Sequence, residues 1–135
     1  MDREMRKALA AKIDEGEFGV QDIRAYLQLF AAIGNANEDM KEEVEGWDRV
    51  VVLQLQEGDA HWLKVEGGEF SSGQGMPGAP DLVLKGKGST IAAILCGEKD
   101  ATMAYSSGAL TVEGPLLDAV RMRSLIGLVL EEIEG

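Results

Sequence analysis

Apolar residues recur at every third or fourth position along the first third of the chain, which is the spacing of amphipathic helices. The first set predicts a short helix that ends near Gly16: Met5, Leu9 and Ile13. A second set predicts a longer helix that Gly34 ends: Ile23, Tyr26, Leu27, Phe30 and Ile33. Asn35 followed by Glu38 resembles a capping arrangement, so we expect a third short helix that ends at about Glu45.

The pattern then changes from helical spacing to alternation, which is typical of strands. Residues 48–56 are rich in β-branched side chains and predict a first strand. After a turn, residues 60–66 alternate again, so the two segments are predicted to form an antiparallel hairpin. Glycine, serine and proline indicate loops at 67–68 and 71–80, and residues 81–85 predict a third antiparallel strand.

Helical and extended segments alternate in the remainder of the chain. Ser89 is predicted to cap a helix that ends at Gly97. Residues 103–105 are interpreted as a short extended piece, and residues 109–113 predict a strand between two glycines. A proline then stands where a first helical turn tolerates it, so the last helix is expected from about 116 to 133.

Hairpins and segregated helices in this order predict an α+β fold with a mostly antiparallel sheet and helices on one face. The chain has 135 residues, which is close to the usual size of one domain. We therefore expect a single domain over residues 1–135. Its N-terminal helices occupy 1–45, and its sheet and remaining helices occupy 46–135.

The formal net charge of −11 limits the classes of partner. Nucleic acid is disfavoured, because its phosphates are bound by Lys and Arg, and the 13 basic residues are scattered along the chain. Tight binding to anionic membranes is disfavoured for the same reason. The sequence also lacks a signal-peptide apolar run and any stretch near the ~18 apolar residues of a membrane span. Stable membrane insertion is therefore not expected, and the cytoplasm is the simplest location.

Residue types that perform catalysis do not come together in the sequence. His61 is interpreted as an exposed strand residue, out of phase with Leu63 and Val65. Cys96 ends a helix without a basic neighbour, so it is interpreted as a packed thiol. The glycines of segment 86–89 form only a fragment of a phosphate loop. We expect no catalytic residue, no metal site and no cofactor, and hence not an enzyme.

The last helix carries more apolar residues than one stripe can hold: Leu125, Ile126, Leu128, Val129, Leu130 and Ile133. A helix that is apolar nearly all round must be buried on several sides. Leu117, Val120 and Leu125 are expected to dock this helix on the sheet, which leaves a surplus face near its end. The partner of that face could be another helix, a second subunit or an apolar ligand.

The segment before the last helix carries a family resemblance. Residues 100–105 supply an acidic residue and a short apolar segment, and Gly108, Leu110 and Gly114 then follow with G-x-L-x-x-x-G spacing. Residues 46–48, 58–59 and 80–82 add similar turn positions upstream. Over about residues 38–133 this order resembles the sterol carrier protein type 2 family.

The resemblance implies a five-stranded sheet covered by helices, with an apolar cavity between them that binds fatty acids, acyl-coenzyme A esters, sterols or similar lipids without catalysis. The expected partner is thus an apolar small molecule. The alternatives are a homodimeric interaction module or an accessory domain of a lipid-metabolising enzyme. The side chains expected to line the cavity are apolar or aromatic: Leu53, Leu55, Leu63, Leu84, Ile94, Met103, Tyr105, Leu110, Val112, Ile126 and Leu130.

Overall fold

The computed structural model describes residues 2–135, with side chains from Arg3 onward. Within this range the helices are α1 Asp2–Asp14, α2 Ile23–Ala36, α3 Glu38–Glu43, α4 Gly88–Leu95, α5 Ala101–Ser107 and α6 Leu116–Glu134, and a 3₁₀ turn at Val20–Asp22 precedes α2. The strands are β1 Arg49–Leu55, β2 Ala60–Glu66, β3 Glu69–Gln74, β4 Leu82–Gly86 and β5 Thr111–Glu113.

The five strands form one sheet in the order β3-β2-β1-β4-β5. Three of its four strand pairs are antiparallel, which confirms the expected α+β class and mostly antiparallel sheet. The expectation that β4 is antiparallel to the first hairpin is wrong, because β4 pairs parallel with β1, from Val51 beside Leu82 to Leu55 beside Gly86. The chain must therefore cross from β3 at one edge, past β2 and β1, before β4 begins.

Strand β3 occupies part of the segment 71–80 that was expected to be a loop. Its serines and glycine lack an alternating apolar pattern, so pairing with β2 rather than propensity makes it a strand. Its outer edge is covered by one side chain of α2. The Asn35 amide nitrogen donates to the Phe70 carbonyl at 3.0 Å, and the Phe70 amide donates to the Asn35 oxygen at 2.7 Å. This amide thus satisfies backbone groups that an edge strand would leave unpaired.

The two expectations at the end of α2 are both wrong. Gly34 does not end the helix, which continues to Ala36. Gly34 instead lets α2 approach the Phe70 ring of β3 closely, since a Cβ atom at this position would lie only 2.5 Å from that ring. The cap of α3 is Asn37 and not Asn35, because the Asn37 side chain accepts a hydrogen bond from the Met40 amide at 3.0 Å.

Two local expectations in the second half of the chain also fail. Residues 103–105 are not extended but lie within α5, which Gly108 ends with a left-handed φ of 85°. A run of three residues is too short for its periodicity to distinguish a helix from an extended segment. Ser89 lies inside α4 and does not cap it, since the N-cap position is Lys87.

His61 is buried, with only 5% of its surface exposed, so its interpretation as an exposed residue is wrong. Residues two apart in a strand share a face, and His61 therefore points to the same side as Leu63 and Val65. Burial is the main reason why the pKa of His61 is lowered. The negative charge of Asp59 raises this pKa and the positive charge of Arg24 lowers it, and the net direction is downward. Its Nδ1 atom has no hydrogen-bond partner among the described residues, and its lowered pKa favours the neutral imidazole.

Asp118 joins the start of α6 to the start of the sheet. Its carboxylate accepts hydrogen bonds from the Trp47 indole nitrogen and the Arg49 Nε atom, both at 2.9 Å. Burial alone would raise the pKa of Asp118, but these two hydrogen bonds and the charges of Arg49 and Arg121 outweigh burial and lower it. A carboxylate in a first helical turn is also favoured by the helix dipole. This contact fixes where α6 begins on the helix-covered face of the sheet.

We predict that Gly34→Ala destabilises the protein by about 1–2 kcal/mol, because overlap with the Phe70 ring outweighs the helix propensity that alanine gains. The matched control is Gly127→Ala in α6, where an added Cβ meets nothing within 4 Å. The control should be neutral or more stable by up to about 1 kcal/mol. Urea unfolding measures both changes, and an equal gain in stability for the two variants would contradict the close contact.

We predict that Asp118→Asn lowers the free energy of unfolding at neutral pH by about 1.5–3 kcal/mol, because Arg49 loses its charged acceptor. The folded-state pKa lies below the ordinary value of 3.8, so the contribution is complete above that value and is lost as the pH falls through the folded pKa. The stability difference between the parent and the variant should therefore be constant above about pH 5 and shrink below it. A difference that grows on acidification would contradict this assignment.

Candidate ligand-binding site

An open pocket of about 190 Å³ lies between the β1-β4-β5 side of the sheet and helices α4, α5 and α6. Its lining is apolar except at three positions. The lining residues are Leu53, Leu84, Ile91, Ile94, Leu95, Ala101, Thr102, Tyr105, Leu110, Val112, Leu116, Ala119, Val120, Met122, Arg123 and Ile126.

The floor of the pocket is a row of side chains that crosses three strands. Leu53 of β1 lies beside Leu84 of β4, and Leu84 lies beside Val112 of β5. Directly paired residues project from the same face of a sheet, so this register alone aligns the row. Leu110 immediately precedes β5 and adds a further apolar side chain to the lining.

The helical walls follow from residue spacing. Ile91, Ile94 and Leu95 of α4 are three or four residues apart and therefore share one side of the helix. Ala119, Met122 and Ile126 have the same relation in α6. Met122 and Ile126 are buried. Ala119 is half-buried and contributes only a methyl group to the lining.

Exposed apolar side chains surround the mouth of the pocket. Tyr105, Leu116 and Val120 line the pocket and are nevertheless 45%, 52% and 57% exposed. Met103 of α5 and Leu117 of α6 are also exposed apolar side chains, although they do not line the pocket, and Leu117 is 82% exposed. The apolar surface of the interior thus extends to the outside through the mouth.

The polar lining groups are Thr102, Tyr105 and Arg123, and all three are exposed residues. The Arg123 Nη2 atom lies 3.1 Å from Asp100 Oδ1, so an ion pair connects α6 to the residue that precedes α5. The two side chains are 56% and 39% exposed. Charge is therefore present at the mouth and absent from the floor.

Seven of the eleven side chains expected to line a cavity come together here: Leu53, Leu84, Ile94, Tyr105, Leu110, Val112 and Ile126. The other four do not line it. Leu55 and Leu63 are each 1% exposed within the main core, and Met103 points outward with 70% exposure. Leu130 is half-buried near Gly97, where its Cδ1 atom would be 3.2 Å from an added Cβ.

The surplus apolar face of α6 lies in its first half, and the expectation that it lies near the end is wrong. Ile133 is 3% exposed and belongs to the core, while Leu128 and Leu130 are half-buried. Leu117 and Val120 were expected to dock the helix, yet both are exposed.

The sequence analysis identifies Tyr105 of α5 but misses nine other lining residues: Ile91, Leu95, Ala101, Thr102, Leu116, Ala119, Val120, Met122 and Arg123. An extended conformation at 103–105 conceals the helical face of α5, and the exposed apolar face of α6 lies in its first half rather than near its end. For the residues at the start of α6, the available signal is the helical spacing of Leu116, Ala119, Val120 and Arg123.

The residues that line the pocket include no His, Cys, Asp or Glu side chain. Among residues 2–135 no group of three or more His, Cys, Asp and Glu side chains is placed to hold a metal ion. Cys96 is buried, and burial raises the pKa of its thiol despite opposing hydrogen bonds. Its Sγ atom lies 3.5 Å from the Ala93 carbonyl. No helix in the described part of the chain is both long and apolar enough to cross a bilayer.

Solved structures similar to this chain share its fold at low sequence identity. The UbiJ-SCP2 ubiquinone synthesis protein matches with a TM-score of 0.64 and 15% identity, over 82% of this chain and 94% of that one. A crystal structure of sterol carrier protein 2 matches with a TM-score of 0.63 and 18% identity, over 80% and 95%. The inverting sec-alkylsulfatase Pisa1 from Pseudomonas sp. matches with a TM-score of 0.57 and 16% identity, and this chain covers 16% of its length.

Sequence comparison assigns the family directly. No curated protein sequence matches the chain significantly. The family model described as the SCP-2 sterol transfer family matches residues 28–127, which include every strand and most of α6. That match confirms the resemblance inferred from the glycine and leucine spacing before the last helix. The chain belongs to the SCP-2 sterol transfer family.

Proposed function

We propose that this protein binds and carries a lipid, such as a fatty acid, an acyl-coenzyme A ester or a sterol, in the pocket between the sheet and α4–α6. The observation that carries the proposal is the continuity of apolar surface from the Leu53-Leu84-Val112 floor to the exposed mouth. Family membership supports lipid as the class of ligand.

Burial of an aliphatic chain supplies the binding free energy in this proposal. Each CH₂ group removed from water contributes about 0.8 kcal/mol, so a medium-length tail gains several kcal/mol before the entropy of association is subtracted. The floor offers no hydrogen-bonding side chain, so the tail has no polar group to desolvate there. Affinity would therefore depend mainly on tail length and on how well the tail fills the space.

We propose further that the protein acts by binding alone. The lining contains no His, Cys, Asp or Glu side chain, and a nucleophile with an adjacent base would require such residues. Thr102 and Tyr105 are hydroxyl groups at an exposed rim without a base among the lining residues. A carrier needs only reversible burial, which this lining supplies.

A second candidate function is a homodimeric interaction module, and the exposure of Leu117 favours it. This side chain is 82% exposed, lies outside the pocket and has Met103 as an exposed apolar counterpart on α5. Two copies could cover these residues against each other. Sedimentation equilibrium tests this candidate, since a dimer that Leu117→Ser converts to monomers would support it, and a monomeric parent would exclude it.

We predict that Val112→Trp lowers the affinity for a fluorescent long-chain fatty acid at least tenfold, because the indole would occupy the floor of the pocket. Tenfold corresponds to about 1.4 kcal/mol. Stability should change little, since overpacking strain arises only where space is already filled. The matched control is Thr111→Trp, the exposed neighbour on the opposite face of β5, which should bind as the parent does.

Fluorescence titration and thermal unfolding distinguish the outcomes. A large fall in melting temperature for Val112→Trp alone would mean that this face is filled core. Equal binding by both tryptophan variants would mean that the ligand does not occupy this pocket.

A further inference from the structure

Arg123 is the one charged side chain among the residues that line the pocket. The chain as a whole has 24 acidic and 13 basic residues, so a carboxylate would be the commoner charged group at an arbitrary rim. The rim instead combines a guanidinium with the hydroxyl groups of Thr102 and Tyr105. All three can donate hydrogen bonds, and the guanidinium cannot accept one.

The ion pair with Asp100 leaves most of the N–H donors of Arg123 free for other hydrogen bonds. The guanidinium meets Asp100 through one nitrogen, at 3.1 Å from Nη2 to Oδ1. A guanidinium carries five N–H donors in a planar fork, and two of them can bind a carboxylate or phosphate side by side. Because both partners are partly exposed, the existing ion pair is weak and easily displaced.

We propose that Arg123 selects ligands with a single compact anionic head group, and that Asp100 occupies Arg123 until such a ligand arrives. This inference rests on the proposed lipid-binding function and names the chemical class of the ligand. The tail enters toward Leu53, Leu84 and Val112, and the head group remains at the mouth. The anion replaces Asp100 on the guanidinium, and Asp100 turns to solvent.

Charge explains why the head group is compact and singly charged. One arginine serves the mouth, and the chain carries a net charge of −11 that repels additional negative charge on the ligand. A cationic head group would meet Arg123 directly and be repelled. A neutral head group would leave the Arg123–Asp100 pair in place and gain only the burial of its tail.

The test compares lauric acid, dodecyl phosphate and 1-dodecanol, whose tails match and whose head groups differ. Each would displace a neutral fluorescent apolar probe from the full-length protein, at concentrations below micelle formation. We expect the parent to prefer laurate to dodecanol by about tenfold, a ratio typical of one charge-assisted contact. Arg123→Gln should abolish this preference and leave the dodecanol affinity within about twofold.

Two further variants separate charge selection from structural effects. Asp100→Asn removes the competitor and should raise laurate affinity by up to about fivefold, again without a change for dodecanol. Arg121→Gln is the matched control, because Arg121 pairs with Glu43 and does not line the pocket. It should keep the ratio of laurate to dodecanol affinity found in the parent. Arg123→Lys should restore part of the preference, since lysine keeps the charge without the fork.

Dodecyl phosphate tests the limit on charge, because a phosphate monoester carries close to two negative charges at neutral pH. A preference for laurate over dodecyl phosphate supports selection of a singly charged head group, and equal gains for the two ligands would overturn that part of the proposal. Parallel losses of laurate and dodecanol in Arg123→Gln, or an unchanged ratio, would overturn the role of Arg123 while lipid binding stands. If none of the three ligands binds the parent, the proposed function fails and this inference fails with it.

Discussion

The hydrogen bonds that Asp118 accepts from Trp47 and Arg49 determine where the last helix lies on the sheet. They place the first turn of α6 at the start of β1, and the helix then runs across the face that carries Leu53 and Leu84. Displacement of Asp118 from these two donors would leave a buried negative charge without a hydrogen-bond partner, which is energetically costly. The first half of α6 is thereby held in place along one side of the pocket, which it lines without filling.

The helix-covered face of the sheet has two regions that differ in what covers them. Beneath α2, the side chains of β2 and β3 are sealed, since Gly34 lets the helix approach the Phe70 ring closely. Toward β4 and β5, α4, α5 and the first half of α6 cover the sheet and leave the pocket open to solvent. Leu63 and Leu53 lie on the same face, yet one belongs to a filled core and the other to the pocket floor.

Periodicity predicts the parts of this structure that depend on local sequence. The hairpin of β1 and β2, the limits of α6 and the α+β class follow from alternation and helical spacing. Periodicity does not predict β3, whose strand conformation depends on pairing with β2, or α5, whose short run is ambiguous. Of the seven expected lining residues that lie together, Leu53, Leu84 and Val112 do so because alternation encodes the sheet face. The mouth could not be located, because it depends on how α5 and α6 are placed in three dimensions.

The central claim is that the pocket holds an aliphatic ligand, and native mass spectrometry of protein purified without detergent tests it most directly. We expect monomer ions that carry an additional mass, which collisional activation releases as a single-chain amphiphile. Ions of the Val112→Trp variant should lack this additional mass. Ions of the bare chain alone, before and after incubation with laurate, would contradict it.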